Sequence, residues 1–120
     1  ESLDRGVSNC RWVYLVGHHP WLSAGNHAPD YNDMRHQIPR TTFLSGRVDA
    51  TFTGHSHSLE HYHREDLDYF VSGAGSKMLP NFDPSFSPPP GDQWRSLENG
   101  FLAVSLNATT AVYEFIGVEP

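Results

Sequence analysis

The chain has 120 residues, 38% hydrophobic and 18% charged, with formal net charge -6, one Cys, eight His, nine Pro and ten Gly, which bounds it to one acidic domain or part of one. No uncharged apolar run approaches the roughly 20 residues of a membrane span, no basic n-region with an apolar h-region opens the chain, and the acidic balance without any basic run argues against nonspecific nucleic-acid binding. Cys10 alone excludes an internal disulfide and a Cys-based zinc knuckle, so a metal held here must rest mainly on imidazole.

The chain opens Glu1-Ser2-Leu3 without a Met and reads as a segment of something longer. Trp12-Val13-Tyr14-Leu15-Val16 is an apolar run without polar alternation, which suits a strand buried on both faces, and Gly17 stops it. A second run, Val48-Asp49-Ala50-Thr51-Phe52-Thr53, stops at Gly54 in the same way. Between the two lies room for a crossover helix, capped by Asp30 or Asn32, with Tyr31, Met34 and Ile38 at helical spacing, split by Pro39 and stopped by Gly46. Strand, crossover and strand give parallel neighbours joined right-handedly, so the residues after Gly17 and after Gly54 face one crevice.

Shorter, antiparallel strands are expected next, over Leu59 to Arg64, Tyr69 to Ser72, Phe101 to Leu106 and Ala111 to Val118. The last two are joined through Asn107-Ala108-Thr109-Thr110 as a hairpin whose buried face the alternation leaves open. Leu79 to Leu97 holds five prolines and is expected to lack regular structure. Trp12, Tyr14, Phe52 and Phe70 are expected in the core.

Both buried strands end alike, in Val16-Gly17-His18 and Thr53-Gly54-His55. A glycine there lets the backbone turn sharply, so that the next side chain enters the crevice. Neighbouring strands lie about 4.8 Å apart, which lets His18 and His55 share one ion at metal–nitrogen distances of about 2.0 to 2.1 Å. His57, two residues on in an extended segment, projects to the same side and can serve that ion or a second one about 3.5 to 4 Å away. Three hydrogen-bonded histidines near a sheet edge are the plainer alternative.

Val16-Gly17-His18-His19-Pro20, Gly54-His55-Ser56-His57, Val71-Ser72-Gly73-Ala74-Gly75 and Asn99-Gly100-Phe101 together resemble the C-terminal half of a purple, tartrate-resistant type acid phosphatase of the calcineurin-like metallophosphoesterase superfamily. The resemblance covers essentially the whole chain. It implies an α/β (α+β) architecture, the C-terminal half of a four-layer αββα sandwich with a mixed sheet and a C-terminal β-hairpin. Residues 1–120 would then be one portion of a single domain whose N-terminal half is absent. It also implies a dinuclear site of iron with iron, zinc or manganese. By position, His18 and His55 match the two histidines on the second metal and His57 the histidine on the first. His27, in Ser23-Ala24-Gly25-Asn26-His27, matches an outer histidine that binds substrate phosphate or protonates the leaving group; imidazole suits that role because its pKa of about 6.5 leaves both protonation states available.

Gly25-Asn26-His27 also spells most of a Gly-Asn-His-acid ligand motif, but it follows the Gly-His-His-Pro segment instead of preceding it and continues into Ala28, so it is read as a decoy. The family's bridging aspartate, first aspartate, Asn ligand and metal-bound tyrosinate lie N-terminal to the matched part, and Asp30, Asp33, Asp49 and Asp66 stand in the wrong order to replace them. The expected activity is hydrolysis of phosphomonoesters by the intact enzyme, while these 120 residues alone bind metal weakly and do not turn over. Two rivals remain: a self-contained mononuclear zinc hydrolase built on His18, His55 and His57, and a catalytically inactive structural or binding module.

Of the other histidines, His19 points away from His18 if the segment is extended, and a role facing substrate or supporting a ligand stands evenly beside plain exposure; His61 and His63 lie in a charged strand and are expected to be solvated, and His36 is read as an exposed helix residue. Ser72-Gly73-Ala74-Gly75 either lays backbone close to the site or simply turns the chain. Asn107-Ala108-Thr109 is an acceptor sequon in a turn, which suits a secreted or lysosomal glycoprotein. Expected partners are a phosphomonoester and the missing half of the domain, without nucleic acid or a membrane span.

Overall fold

Tyr14–Val16 (β1) and Ala50–Thr53 (β2) pair in parallel, with Tyr14 opposite Ala50 and Val16 opposite Phe52. The computed structural model describes residues 10–25, 48–78, 80, 82 and 91–119. The crossover expected between these strands, with His36 and the helix signals from Asp30 to Gly46, lies outside the described residues. Leu59–Arg64 (β3) keeps its expected bounds, and Leu67–Ser72 (β4) begins two residues before the expected strand. These two form an antiparallel hairpin, while β4 also runs parallel to β2, so the sheet is mixed.

A fifth strand corrects the expectation for residues 79–97. Asp92–Ser96 (β5) adds to the free edge of β3, with a register shift between His61 and Tyr62. Gly91, at φ 92, turns the chain onto that edge, and the His63 amide donates to the Gly91 carbonyl at 2.8 Å. An unpaired sheet edge thus recruits a segment whose own sequence carries no strand alternation. The strand order is β1-β2-β4-β3-β5. Gly100–Leu106 (β6) and Ala111–Gly117 (β7) form the expected C-terminal hairpin as a separate two-stranded sheet. The mixed sheet and this hairpin agree with the expected half of an α/β sandwich, and the described residues include no helix.

Alternation sends side chains to two faces of the five-stranded sheet. On one, Tyr62, Leu67 and Tyr69 pack with Trp21, Leu22 and Val48 into the core, with Val13 and Leu15 against it. On the other, Phe70 is buried against Phe52, stacked at 5.7 Å, and against Tyr113 of the hairpin at 4.7 Å. Trp94 stacks on Phe115 at 4.7 Å, so Tyr113 and Phe115 mark the hairpin face that docks.

Several expectations about burial change: of the aromatics expected in the core only Phe70 is fully buried, Tyr14 and Phe52 being half-buried. Val16 is 75% exposed because β1 is an edge strand and Val16 is its last residue. Trp12 is half-buried and fastens the hairpin tip, its indole N–H donating to the Asn107 carbonyl at 2.9 Å. Arg11 donates to the Ala108 carbonyl beside it.

Candidate metal centre

The parallel pairing of β1 and β2 brings both strand ends to one edge, and the histidines follow. His18 Nε2 and His55 Nδ1 lie 3.1 Å apart. The backbone reinforces this approach: the Gly17 amide donates to the Phe52 carbonyl and the Gly54 amide to the His18 carbonyl, each at 3.0 Å. Two ring nitrogens each about 2.1 Å from one cation would stand about 3.0 to 3.4 Å from each other, so the spacing of this pair, a hydrogen bond between the rings as it stands, also suits two ligands on one ion.

The turn into the crevice falls one residue later than expected. Neither Gly17 nor Gly54 has a positive φ; His55 itself does, at 60°. The left-handed backbone at His55 swings its ring toward His18. His19 also differs from expectation, because the chain bends after Val16 and does not continue extended. Its ring centroid stands 4.3 Å from that of His55 and 5.0 Å from that of His18, so three imidazoles cluster.

His57 is half-buried two residues beyond His55 and is not among these ring contacts. His27 lies outside the described residues, as do Asn26, Asp30 and Asp33. Among the described residues no three His, Cys, Asp or Glu side chains stand together as a ready metal cage. The donor set therefore fits a transition metal in part, through the His18–His55 pair, and asks for further ligands from elsewhere. Asp49 does not supply one: its carboxylate accepts from the Val13 amide at 2.6 Å, at the opposite end of β1 and β2 from the histidines.

The floor under His55 is unusually close. A Cβ on Gly73 would stand 1.8 Å from the Ser56 carbonyl oxygen, so Gly73 admits the His55–His57 segment by having no side chain. Its amide donates to the Ser58 carbonyl at 3.0 Å. The Ser72-Gly73-Ala74-Gly75 run thus lays backbone against the site, as the first of its two expected roles required.

Glu60 is the residue that sequence reasoning missed. It is fully buried and accepts hydrogen bonds from Ser23 Oγ and the Ala24 amide at 2.8 Å each, Ser58 Oγ at 2.5 Å and Ser56 Oγ at 3.3 Å, as well as from the Tyr62 hydroxyl. Burial first, then the Glu60 charge, pushes the Tyr62 hydroxyl far above the ordinary phenol range, so it stays a donor. Ser56, Ser58, Glu60 and Tyr62 stand two residues apart, but residues 55–58 bend where the sequence predicted an extended segment, so that spacing did not by itself mark the cluster.

His61 and His63 are not simply solvated. Both ring nitrogens meet Asp68 Oδ1, at 2.7 and 3.0 Å, and His61 also stacks on Phe70 at 4.5 Å. Burial pulls the Asp68 carboxyl up, but the hydrogen bonds from His61 and His63 outweigh it and leave the pKa below the ordinary value.

No family model matches the chain. A serine/threonine-protein phosphatase of Plasmodium berghei (strain Anka), UIS2, is 34% identical over 71% of this chain and 6% of its own length. Purple acid phosphatase 3 of Arabidopsis thaliana is 29% identical over 83% of this chain and 27% of its own length. Tartrate-resistant acid phosphatase type 5 of Sus scrofa is 30% identical over 90% of this chain and 29% of its own length. The chain spans less than a third of the length of each of these relatives. Among solved structures, GAP50, described as the anchor in the inner membrane complex of Plasmodium, superposes with a TM-score of 0.84 at 18% identity over 96% of this chain and 35% of that chain. That likeness concerns the fold alone.

Proposed function

The chain belongs to the purple acid phosphatase family, corresponding to its C-terminal part, and from that premise we infer that the intact protein is a metal-dependent hydrolase of phosphomonoesters. The observation that carries the reading is the pair of ring nitrogens, His18 Nε2 and His55 Nδ1, held 3.1 Å apart at the ends of two parallel strands. His18, His55 and His57 would hold two metal ions, iron with iron, zinc or manganese, with the anionic ligands supplied from outside these residues. When bound, two such cations supply charge neutralisation for phosphoryl oxygens and lower the pKa of water at the site.

What this chain contributes is position. His18 and His55 enter from adjacent strand ends, and Gly73 keeps the floor under them thin. His19 stands beside both rings, where it can meet a phosphoryl oxygen or orient a ligand. His27 protonates the departing alkoxide in this reading. A secreted or lysosomal setting goes with it, supported by the exposed Asn107 sequon at the hairpin tip; its Oδ1 accepts from the Thr109 and Thr110 amides at 2.8 Å each. No helix among the described residues is long and apolar enough to cross a membrane.

Elemental analysis together with p-nitrophenyl phosphate turnover between about pH 5 and 7 tests the reading, on the longest natural chain containing these residues and on the 120-residue chain itself. About two metals and turnover in the longer chain, with neither in the shorter, are expected. One tight zinc ion in the 120-residue chain alone would replace the reading with the mononuclear hydrolase. A longer chain whose stability and ligand binding ignore chelation would make it a structural module. The role of His27 is read separately: His27→Ala should lower kcat more for poor leaving groups than for good ones, and equal losses would remove it as the acid.

A further inference from the structure

Glu60 has no place in the chemistry above, yet it is the most heavily hydrogen-bonded side chain in the described structure. We propose that Glu60 is a positioning residue for the histidine crevice: its carboxylate clasps the segment after His18-His19 to the segment after His55, and so sets how the two rings meet. The inference rests on the phosphatase reading for its catalytic consequence, though not for its geometry.

The two ends of the carboxylate do different work. Oε1 accepts from Ser23, Ser56 and Ser58, which joins the two histidine-bearing segments directly; Oε2 accepts from the Ala24 amide and from Tyr62. Ser23 follows His18 by five residues through Pro20, Trp21 and Leu22, all buried, so that tether is short and fixed. Ser56 sits between His55 and His57. With Ser56 and Ser58 drawn fully inward to Glu60, their neighbours His55 and His57 are left on the other side, both half-buried. The Gly54–His18 backbone hydrogen bond closes the same loop from the crevice side.

A buried carboxylate is a costly way to fill space, and a well-packed apolar residue would serve stability as well or better. What a carboxylate does that an apolar residue cannot is accept five bonds from two separate stretches of chain, Ser23–Ala24 and Ser56–Tyr62, at fixed angles. Displacing a reacting group by about 1 Å costs on the order of 100-fold in rate, so such a clasp acts on catalysis through geometry. Glutamine should nearly replace it. Its amide oxygen can serve the Ala24 amide and Tyr62, and the two N–H donors of its NH2 can serve two of the three serine hydroxyls, leaving unmet the longest contact, from Ser56 at 3.3 Å.

The test uses the longest natural chain containing these residues, with Glu60→Ala, Glu60→Gln and, as a destabilised control that removes core packing but none of the hydrogen bonds to Glu60, the variant Leu67→Ala. Melting temperature, bound metal, kcat and KM for p-nitrophenyl phosphate, and NOEs between the His18 and His55 rings are measured. Glu60→Ala should lose the ring–ring NOEs and lower kcat by about 100-fold with little change in KM, while Glu60→Gln stays within about tenfold of the parent. Leu67→Ala, at a similar loss of melting temperature, should keep both the NOEs and kcat. If Glu60→Ala and Leu67→Ala match in NOEs and kcat at equal melting temperature, Glu60 is only structural and the proposal falls. Should Glu60→Ala not fold, the Ser23→Ala/Ser58→Ala pair decides, unchanged NOEs and kcat overturning the clasp. If the unmodified longer chain binds no metal or does not turn over, it is the phosphatase reading that fails, and the NOEs alone judge the clasp.

Discussion

At His55 a β-carbon sits where L residues rarely go. A backbone at φ 60 costs about 1 to 2 kcal/mol for a side chain other than glycine, and it persists only where the surroundings over-determine it. Here the over-determination is visible: the Gly54 amide is bonded to the His18 carbonyl, Ser56 is held by Glu60, and Gly73 lies beneath. The pairing of His18 with His55 was legible from sequence because parallel strands carry their ends to one edge. The approach of His19 was not, since a bend after Val16 replaces the extended segment that would have turned it away. Glu60 was illegible for a different reason: a carboxylate in a strand of charged neighbours reads as solvated until the hydroxyls that bury it are seen. Asp68 yields a prediction at this scale. Its pKa is lower folded than unfolded, so it stabilises the fold at pH above the ordinary carboxyl value near 3.8, and that contribution is lost as pH falls through the folded pKa. Asp68→Asn should therefore cost about 1 kcal/mol near pH 6 in urea unfolding, with the gap to the parent closing below about pH 4. A gap that stays constant with pH would remove the His61–Asp68–His63 contact as its source.

Among the elements, the β3–β4 hairpin is regular along its whole length. All six of its residue pairs are in register, from Leu59 opposite Ser72 to Arg64 opposite Leu67. Its two-residue turn, Glu65-Asp66, has φ of 54 and 59, the signature of a type I′ turn built without the glycine such turns favour. Asp66→Gly should relieve that strain and raise stability by about 0.5 to 1 kcal/mol, measured as a shift of the urea midpoint at unchanged m-value. A loss of stability would mean that the Asp66 side chain supports the turn. The β5 strand shows the limit of reading elements from sequence. Asp92-Gln93-Trp94-Arg95-Ser96 has no apolar alternation, and what makes it a strand is the edge of β3, a partner about thirty residues earlier in the chain. The C-terminal hairpin was legible as a hairpin, and its docking face became defined only through Phe70 and Trp94, which lie on the other sheet.

On the scale of the whole molecule, the hairpin leaves apolar side chains uncovered. Phe101, Val112 and Ile116 on one side of it are 49%, 46% and 39% exposed, and Leu106 on the other is 48% exposed. Exposure such as that of Phe101, Val112 and Ile116 on one face marks surface that another part of a fold covers. The 120-residue chain on its own should therefore bind 8-anilinonaphthalene-1-sulfonate strongly and associate as its concentration rises, and a longer natural chain should do neither. Weak dye binding by the short chain would show that this face is tolerated in water. The mixed sheet with a separate hairpin was foreseen because strand–crossover–strand topology and turn chemistry are local rules; the covering of the faces is not.

The His18–His55 contact spans 37 residues and exists only when β1 and β2 lie side by side. Parallel pairings at such separation pay their loop-closure cost before they return any contact energy, whereas the β3–β4 hairpin can close in about 1 to 10 microseconds. The two rings therefore meet only once that strand pairing has formed. A spectroscopic signal from them reports that pairing, and an ion that needs both rings cannot be captured by a chain in which β1 and β2 are still apart.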